Sequence, residues 1–251
     1  MAEDASTPTT STRPEEPRLS FPRLLLVRIW SLWLDAVNRA ADLAVLAWRP
    51  RLLGPALSLW LRELLVSPYR PRRSFEVIRL LQVHGQGFDE LMYGETPVHT
   101  ALKLFQQAGL TAHGHLVDLG AGRGRALLAA RWLGARATGI ELLQEHVTLA
   151  SAPLSRAGAV LRQGDAALAD LGEATHVLVN WTALSPQTRT RLVARLRTCR
   201  PGTRVLTVTR PIEAPGFTVR SRHRALFTWG LEPVWIHEVP DSAAQVPTST
   251  S

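Results

Sequence analysis

The chain has 251 residues, a formal net charge of +8 and 45% hydrophobic residues, enough to bury the core of an enzyme-sized domain and leave an appendage over. Cys199 is the only cysteine, which excludes an intramolecular disulfide framework and a cysteine-built metal centre and makes a reducing cytoplasm the default location. Lys103 is the sole lysine among 29 basic residues, a bias that fits the codon usage of a GC-rich genome, so basic charge alone does not indicate nucleic-acid binding.

Residues 1–20 are rich in Ser, Thr, Pro and Glu and are expected to be disordered, as is the tail 241–251. No uninterrupted apolar core follows a short basic start, so a secretory signal is not expected. Residues 21–70 read as an amphipathic helical hairpin and 75–240 as one α/β domain. From Phe21 to Trp48 the polar residues Arg28, Ser31, Asp35, Asn38, Arg39 and Asp42 recur at intervals of three and four, which makes one narrow stripe on a helix of roughly 40 Å, all other faces being apolar. Asp35, Arg39 and Asp42 would each cost about 2.5–3.5 kcal/mol at a bilayer centre, which argues against a simple span. Pro50 and Pro55 are expected to break the helix, and a second apolar stretch, Leu57 to Val66, ends at Ser67-Pro68. Between Arg18 and Arg73 ten arginines face only Asp35, Asp42 and Glu63, and Trp30, Trp33, Trp48 and Trp60 are half of the chain's tryptophans. Two readings stay open: a hairpin lying in a membrane surface through residues 21–66, or a helical pair packed on the α/β domain or on a second subunit.

Further on, Tyr93-Gly94-Glu95-Thr96 precedes a helix-like stretch, Val98 to Ala108. The run from His115 to Arg125 then joins an apolar strand to a helix through Gly120, Gly122 and Gly124, which can turn with positive φ and lie against a bulky adenosyl group. Asp118 ends that strand, where a carboxylate needs a fixed partner such as a ligand amino group. The spacing Asp-x-Gly-x-Gly-x-Gly differs from the dinucleotide fingerprint. Arg136 to Glu141 ends a second strand with an acid 23 residues after Asp118, placed to accept ribose hydroxyls; a nicotinamide site would share that acid. Leu161 to Asp165 closes a third strand with Gly-Asp, which suits an adenine amino group, and Thr175 to Thr182 forms a fourth with Asn180 at its end. Ligands of open α/β sheets collect beyond such strand ends.

Gly120, Gly122, Gly124, Glu141, Asp165 and Asn180 together resemble the class I S-adenosylmethionine-dependent methyltransferases, a Rossmann-like seven-strand α/β fold. Tyr93 to Thr96, Gln163-Gly164-Asp165, Val179-Asn180 with Ser185-Pro186, and Gly202 to Leu206 leading to Arg210-Pro211 are similar to the disruptor-of-telomeric-silencing family, the non-SET histone-lysine methyltransferases. The likeness spans about Phe88 to His237. It implies an S-adenosylmethionine cofactor held by Tyr93, Glu95, Thr96, Asp118, Gly120, Gly122, Gly124, Arg125, Glu141, Asp165 and Asn180, with Tyr93 to Thr96 folded over its methionine end. Asn180, Tyr93 and Trp181 are then the catalytic candidates and a protein lysine the acceptor; by its own place beside Asn180, Trp181 reads either as a channel wall that meets the amine by cation–π contact or as a core aromatic.

The chain departs from that family at Asn180-Trp181, where two asparagines are the rule, at Val234-Trp235, where an aromatic pair stands, and at Gln86, which replaces an acid. In layout it also resembles the mitochondrial-type lysine methyltransferases, which carry a hydrophobic segment ahead of a short seven-strand domain. A small-molecule or lipid methyltransferase, or a cofactor-binding scaffold without turnover, remain alternatives. Arg220-Ser221-Arg222-His223-Arg224 reads as a solvated hairpin or as a loop for an acidic partner. The histidines show no metal spacing and no role is assigned to them. Oligomeric state is not indicated, and the location expected is cytoplasmic, with peripheral membrane attachment as the variant.

Overall fold

In the computed structural model His115–Leu119 (β1), Arg136–Glu141 (β2), Val160–Gln163 (β3), His176–Asn180 (β4) and Arg204–Val208 (β5) run parallel. Gly230–Glu238 (β7) pairs antiparallel with β5 and with Thr218–Phe227 (β6), so the sheet order is β3-β2-β1-β4-β5-β7-β6. This is the Rossmann-like seven-strand sheet expected from the sequence. The residues described are 21–66, 95–182 and 184–239; both expected tails, Tyr93 and Gln86 lie outside them.

Six α-helices accompany the sheet among these residues: Phe21–Ala47 (α1), Pro50–Val66 (α2), Val98–Gln107 (α3), Arg125–Trp132 (α4), Gln144–Arg156 (α5) and Pro186–Leu196 (α6). The chain reverses its winding between β1 and β4, and the crevice beyond their carboxyl ends is where such sheets hold ligands. The pleat sorts each strand's side chains alternately. Leu116, Leu178, Leu206 and Val208 join a core with α3, α4 and α5, while Val117, Leu119, Val177 and Val179 join another with Leu192 and Leu196 of α6.

Helices α1 and α2 pack on the first core, contributing Leu46, Leu52 and Leu59 to it. The later part of the polar stripe of α1, from Asn38 to Asp42, faces inward. Asn38 and Asp42 are buried, and Asp42 Oδ1 accepts from the His99 amide at 2.8 Å and lies 2.7 Å from His99 Nδ1. Helix α3 has no cap of its own, since Pro97 stands at its N-cap. A carboxylate from α1 therefore satisfies an orphan amide of the first turn and complements its positive end. Trp132 Nε1 donates to the Val45 carbonyl at 3.1 Å and Arg156 donates to Ser58 at 2.6 Å. Pro50 opens α2 at its first position, where no amide partner is needed, and the helix runs on through Pro55 instead of breaking there. No helix of the described residues is long and apolar enough to cross a membrane.

The Arg220 to Arg224 cluster lies within strand β6. Arg220 forms a two-pronged pair with Glu238 at 3.0 and 2.7 Å, and Arg222 stacks 5.1 Å from the ring centroid of Trp235.

Gly124 tests the packing. It takes φ +75°, and a Cβ there would come 2.5 Å from Leu154 Cδ1. Gly124→Ala adds overpacking to a left-handed backbone, so we expect a loss of about 2–4 kcal/mol in urea denaturation. An unchanged midpoint would show that α4 and α5 have slack at this point.

Candidate functional site

The carboxyl ends of β2, β1 and β4 bring Glu141, Asp118 and Asn180 to one crevice, and Asp165 follows β3. Between β1 and α4 the chain turns with φ +80° at Gly120, +55° at Gly122 and +75° at Gly124. A Cβ on Gly120 would meet nothing within 4 Å, so this residue leaves open room for a ligand against its backbone. The missing Cβ of Gly124 makes room for Leu154, so this position also serves helix packing.

Glu141 is buried yet well supplied. Its Oε2 accepts from the Gly122 amide at 2.7 Å, its Oε1 accepts from the Leu143 amide at 2.9 Å, and His146 Nδ1 lies 3.4 Å from Oε1. Burial alone would push the carboxyl up; His146 and the two amides outweigh it and hold Glu141 below the usual range. A carboxylate has about four acceptor positions, so the oriented group retains capacity for a ribose hydroxyl. Asp165 Oδ1 accepts from the Ala167 amide at 2.9 Å, and its Oδ2 takes Arg191 at 2.6 Å in an exposed pair that a ligand can displace at little loss.

Asp118 is the unusual group. It is buried, and no hydrogen-bond or ion partner reaches it among the described residues. Burial, with the nearby Glu141 charge second, pushes its carboxyl up to about 7. A cationic ligand group set beside it would reverse both effects.

Asn180 is half-buried at the end of β4, its Oδ1 accepting from the Thr182 amide at 3.3 Å and from Thr182 Oγ1 at 2.8 Å. Thr209 Oγ1 lies 2.7 Å from Thr182 Oγ1 and 3.2 Å from Glu232 Oε2, and its one proton serves one of the two at a time. Thr209 has φ +73°, the one non-glycine positive φ among the described residues, and it is β-branched, a conformation that costs of order 1–3 kcal/mol. This strained cluster follows the ends of β4 and β5, and with Oδ1 on Thr182 the Asn180 amide nitrogen turns away from it. The sequence reading missed Thr182, Thr209 and Glu232, for which no spacing gives a signal.

Three further expectations are corrected. Trp181 is 2% exposed and packs with Val179, Leu192 and Ile212, its Nε1 donating to the Arg210 carbonyl at 2.9 Å; two positions after Val179 it follows that residue into the core, so it walls no channel. Arg125 does not present its guanidinium to a ligand, because Glu63 at 2.7 Å and Glu95 at 2.9 Å hold it. The Glu95 carboxylate is committed to Arg125 and, at 2.6 Å, to Arg123. Thr96 is half-buried next to it. No metal-binding group of His, Cys, Asp and Glu occurs among the described residues.

Asp118 has a measurable consequence. Its folded carboxyl titrates near 7 against an ordinary value near 4, so the stability it contributes is complete below about pH 4 and is lost as pH rises through 7. Asp118→Asn should flatten that dependence. Melting temperatures of the ligand-free proteins at pH 5.5 and 8 will show it: the wild type should fall relative to the variant, and parallel curves would place Asp118 in a wetter site.

No protein-family model matches the sequence, and no curated protein matches it. Among solved structures the chain is similar to an RNA methyltransferase from Salinibacter ruber in complex with S-adenosyl-L-homocysteine, with 27% identity and a TM-score of 0.50 over 62% of this chain and 99% of that one. TrmN from Thermus thermophilus is similar at 18% identity and a TM-score of 0.50, over 60% of this chain and 51% of its own. With the strand order and the strand-end carboxylates, this likeness establishes that the chain has the class I S-adenosylmethionine-dependent methyltransferase fold.

Proposed function

We propose that the chain is an S-adenosylmethionine-dependent methyltransferase whose acceptor is a protein lysine amine. The observation that carries the cofactor half is Glu141, a carboxylate aimed by two backbone amides at the tip of β2 beside the open backbone of Gly120. Glu141 accepts a ribose hydroxyl, Asp165 takes the adenine amino group, and Asp118 offers its charge to the cofactor's ammonium. When bound, the cofactor supplies an electrophilic methyl carbon on a sulfonium. The protein's share is placement, which is worth about 7–11 kcal/mol when the reacting atoms are held about 3–3.5 Å apart in line. Asn180, braced by Thr182, is the positioning group on the acceptor side.

The lysine acceptor rests on the pattern Tyr93-Gly94-Glu95-Thr96 and on Asn180. An RNA acceptor is the second reading, favoured by the Salinibacter similarity and by Arg220, Arg222 and Arg224, which are exposed on β6. Labelled cofactor offered to cell protein and to cell RNA separates them. Wild type should label protein, at lysines mapped by mass spectrometry, and Asn180→Ala should label it 10- to 100-fold more slowly with an unchanged melting temperature. Label found only in RNA or in small molecules would overturn the lysine assignment.

The hairpin supports a peripheral membrane location. The described exposed positions of α1 and of the following Trp48 are all apolar: Ile29, Trp30, Trp33, Ala36, Val37, Ala40, Ala44, Ala47 and Trp48. On α2 the exposed Leu57, Leu61, Leu64 and Leu65 continue that apolar surface, and exposed Arg49, Arg51 and Arg62 add positive charge to it. Apolar residues with interfacial tryptophans and arginines suit an anionic lipid surface. The protein should float with vesicles containing phosphatidylglycerol, and a Trp30→Ser, Trp33→Ser, Trp48→Ser variant should not. Wild type remaining in the soluble fraction would mean that this face meets another protein surface.

A further inference from the structure

Glu63 lies on α2 and belongs to none of the motifs. Its side chain is 3% exposed, and its Oε2 lies 2.7 Å from Arg125 Nη2 and 3.9 Å from Arg39 Nη1. Oε1 lies 3.5 Å from Arg123 Nε. The same Arg125 nitrogen is 2.9 Å from Glu95 Oε2, and Arg123 Nε is 2.6 Å from Glu95 Oε1. Two carboxylates from separate elements thus grip the two arginines that flank Gly124, in the loop whose Gly122 amide aims Glu141. Burial, and after it the charge of Glu95, pushes the Glu63 carboxyl up, with the arginines opposing. Burial would also loosen the Arg125 proton, and Glu95 and Glu63 more than reverse that.

Among the described residues Glu63 borders a cavity of about 50 Å³ lined in part by Leu46, Trp60, Arg125 and Leu128, room for water and too small for a metabolite. Glu63 therefore acts through the arginines. The strand-end groups run in the order Asp165, Glu141, Asp118 and Asn180 across the sheet, so adenosine occupies the first two and the amino-acid end of the cofactor reaches the last two. Glu95, whose amide donates to Thr228 Oγ1 at 3.1 Å in the β6–β7 turn, is tied to that second end.

We infer that α2 is a working part of the cofactor site, Glu63 being the positioning residue that sets Arg123, Arg125 and through them the Glu95 segment at the amino-acid end of the cofactor. The inference rests on the cofactor reading above and extends the site to an element outside the seven-strand domain.

Calorimetric titration of the full chain with two probes, S-adenosylhomocysteine and adenosine, tests it. Glu63→Gln should bind S-adenosylhomocysteine at least tenfold more weakly than wild type and adenosine within twofold. Glu63→Asp, which keeps the charge but shortens its reach, should lie between the two for S-adenosylhomocysteine and match wild type for adenosine. If Glu63→Gln does not give a cooperative melt, the Asp variant decides on the same criterion. Equal weakening of both probes would reveal a merely structural acid and overturn the inference, as would no weakening of either. A wild-type protein that binds neither probe would instead overturn the cofactor reading.

Discussion

The buried ion cluster of Glu63, Glu95, Arg123 and Arg125 is the constraint on which the rest of the arrangement depends. Four charges removed from water are tolerable only while every one has a partner, and removing one leaves a buried charge uncompensated at a loss of about 3–5 kcal/mol. The cluster draws its members from α2, from the segment before α3, and from the loop into α4. None of these elements can shift alone. The glycine loop, flexible by composition, is fixed from behind by two carboxylates and from the front by Glu141.

Asp42 repeats the logic on a smaller scale. It supplies to α3 the cap that Pro97 cannot give, so the hairpin ends one of the domain's helices. The helical pair is bound on its inner side by leucines and by specific polar contacts, and it carries further apolar residues on its outer side, which a helix that only covers a core in water does not need.

The fold was legible in the sequence because its signals are local. Gly120 to Gly124 follow an apolar strand directly, and Glu141, Asp165 and Asn180 each end a short run of β-forming residues, so periodicity and turn chemistry placed them without knowledge of tertiary contacts. Trp181 and Arg125 misled for a shared reason: a motif position says where a residue lies in the chain, and the partner that captures its side chain is remote, Arg210 in one case and Glu63 in the other. Thr209 carries a backbone strain that no propensity announces. Glu63 did have a signal, a lone acid among the apolar residues of α2, which asks for a buried partner. The inward direction of Asn38 and Asp42 was beyond reach, since a polar stripe on an apolar helix fits a wet face and a buried, paired face equally well.

The 62 positions that separate Glu63 from Arg125 also set an order of events during synthesis. At about 5–20 residues per second, α2 waits roughly 3–12 seconds after its own completion before the arginine that neutralises it has been made. Through that interval the nascent hairpin carries apolar surface on both sides and an acid without its guanidinium.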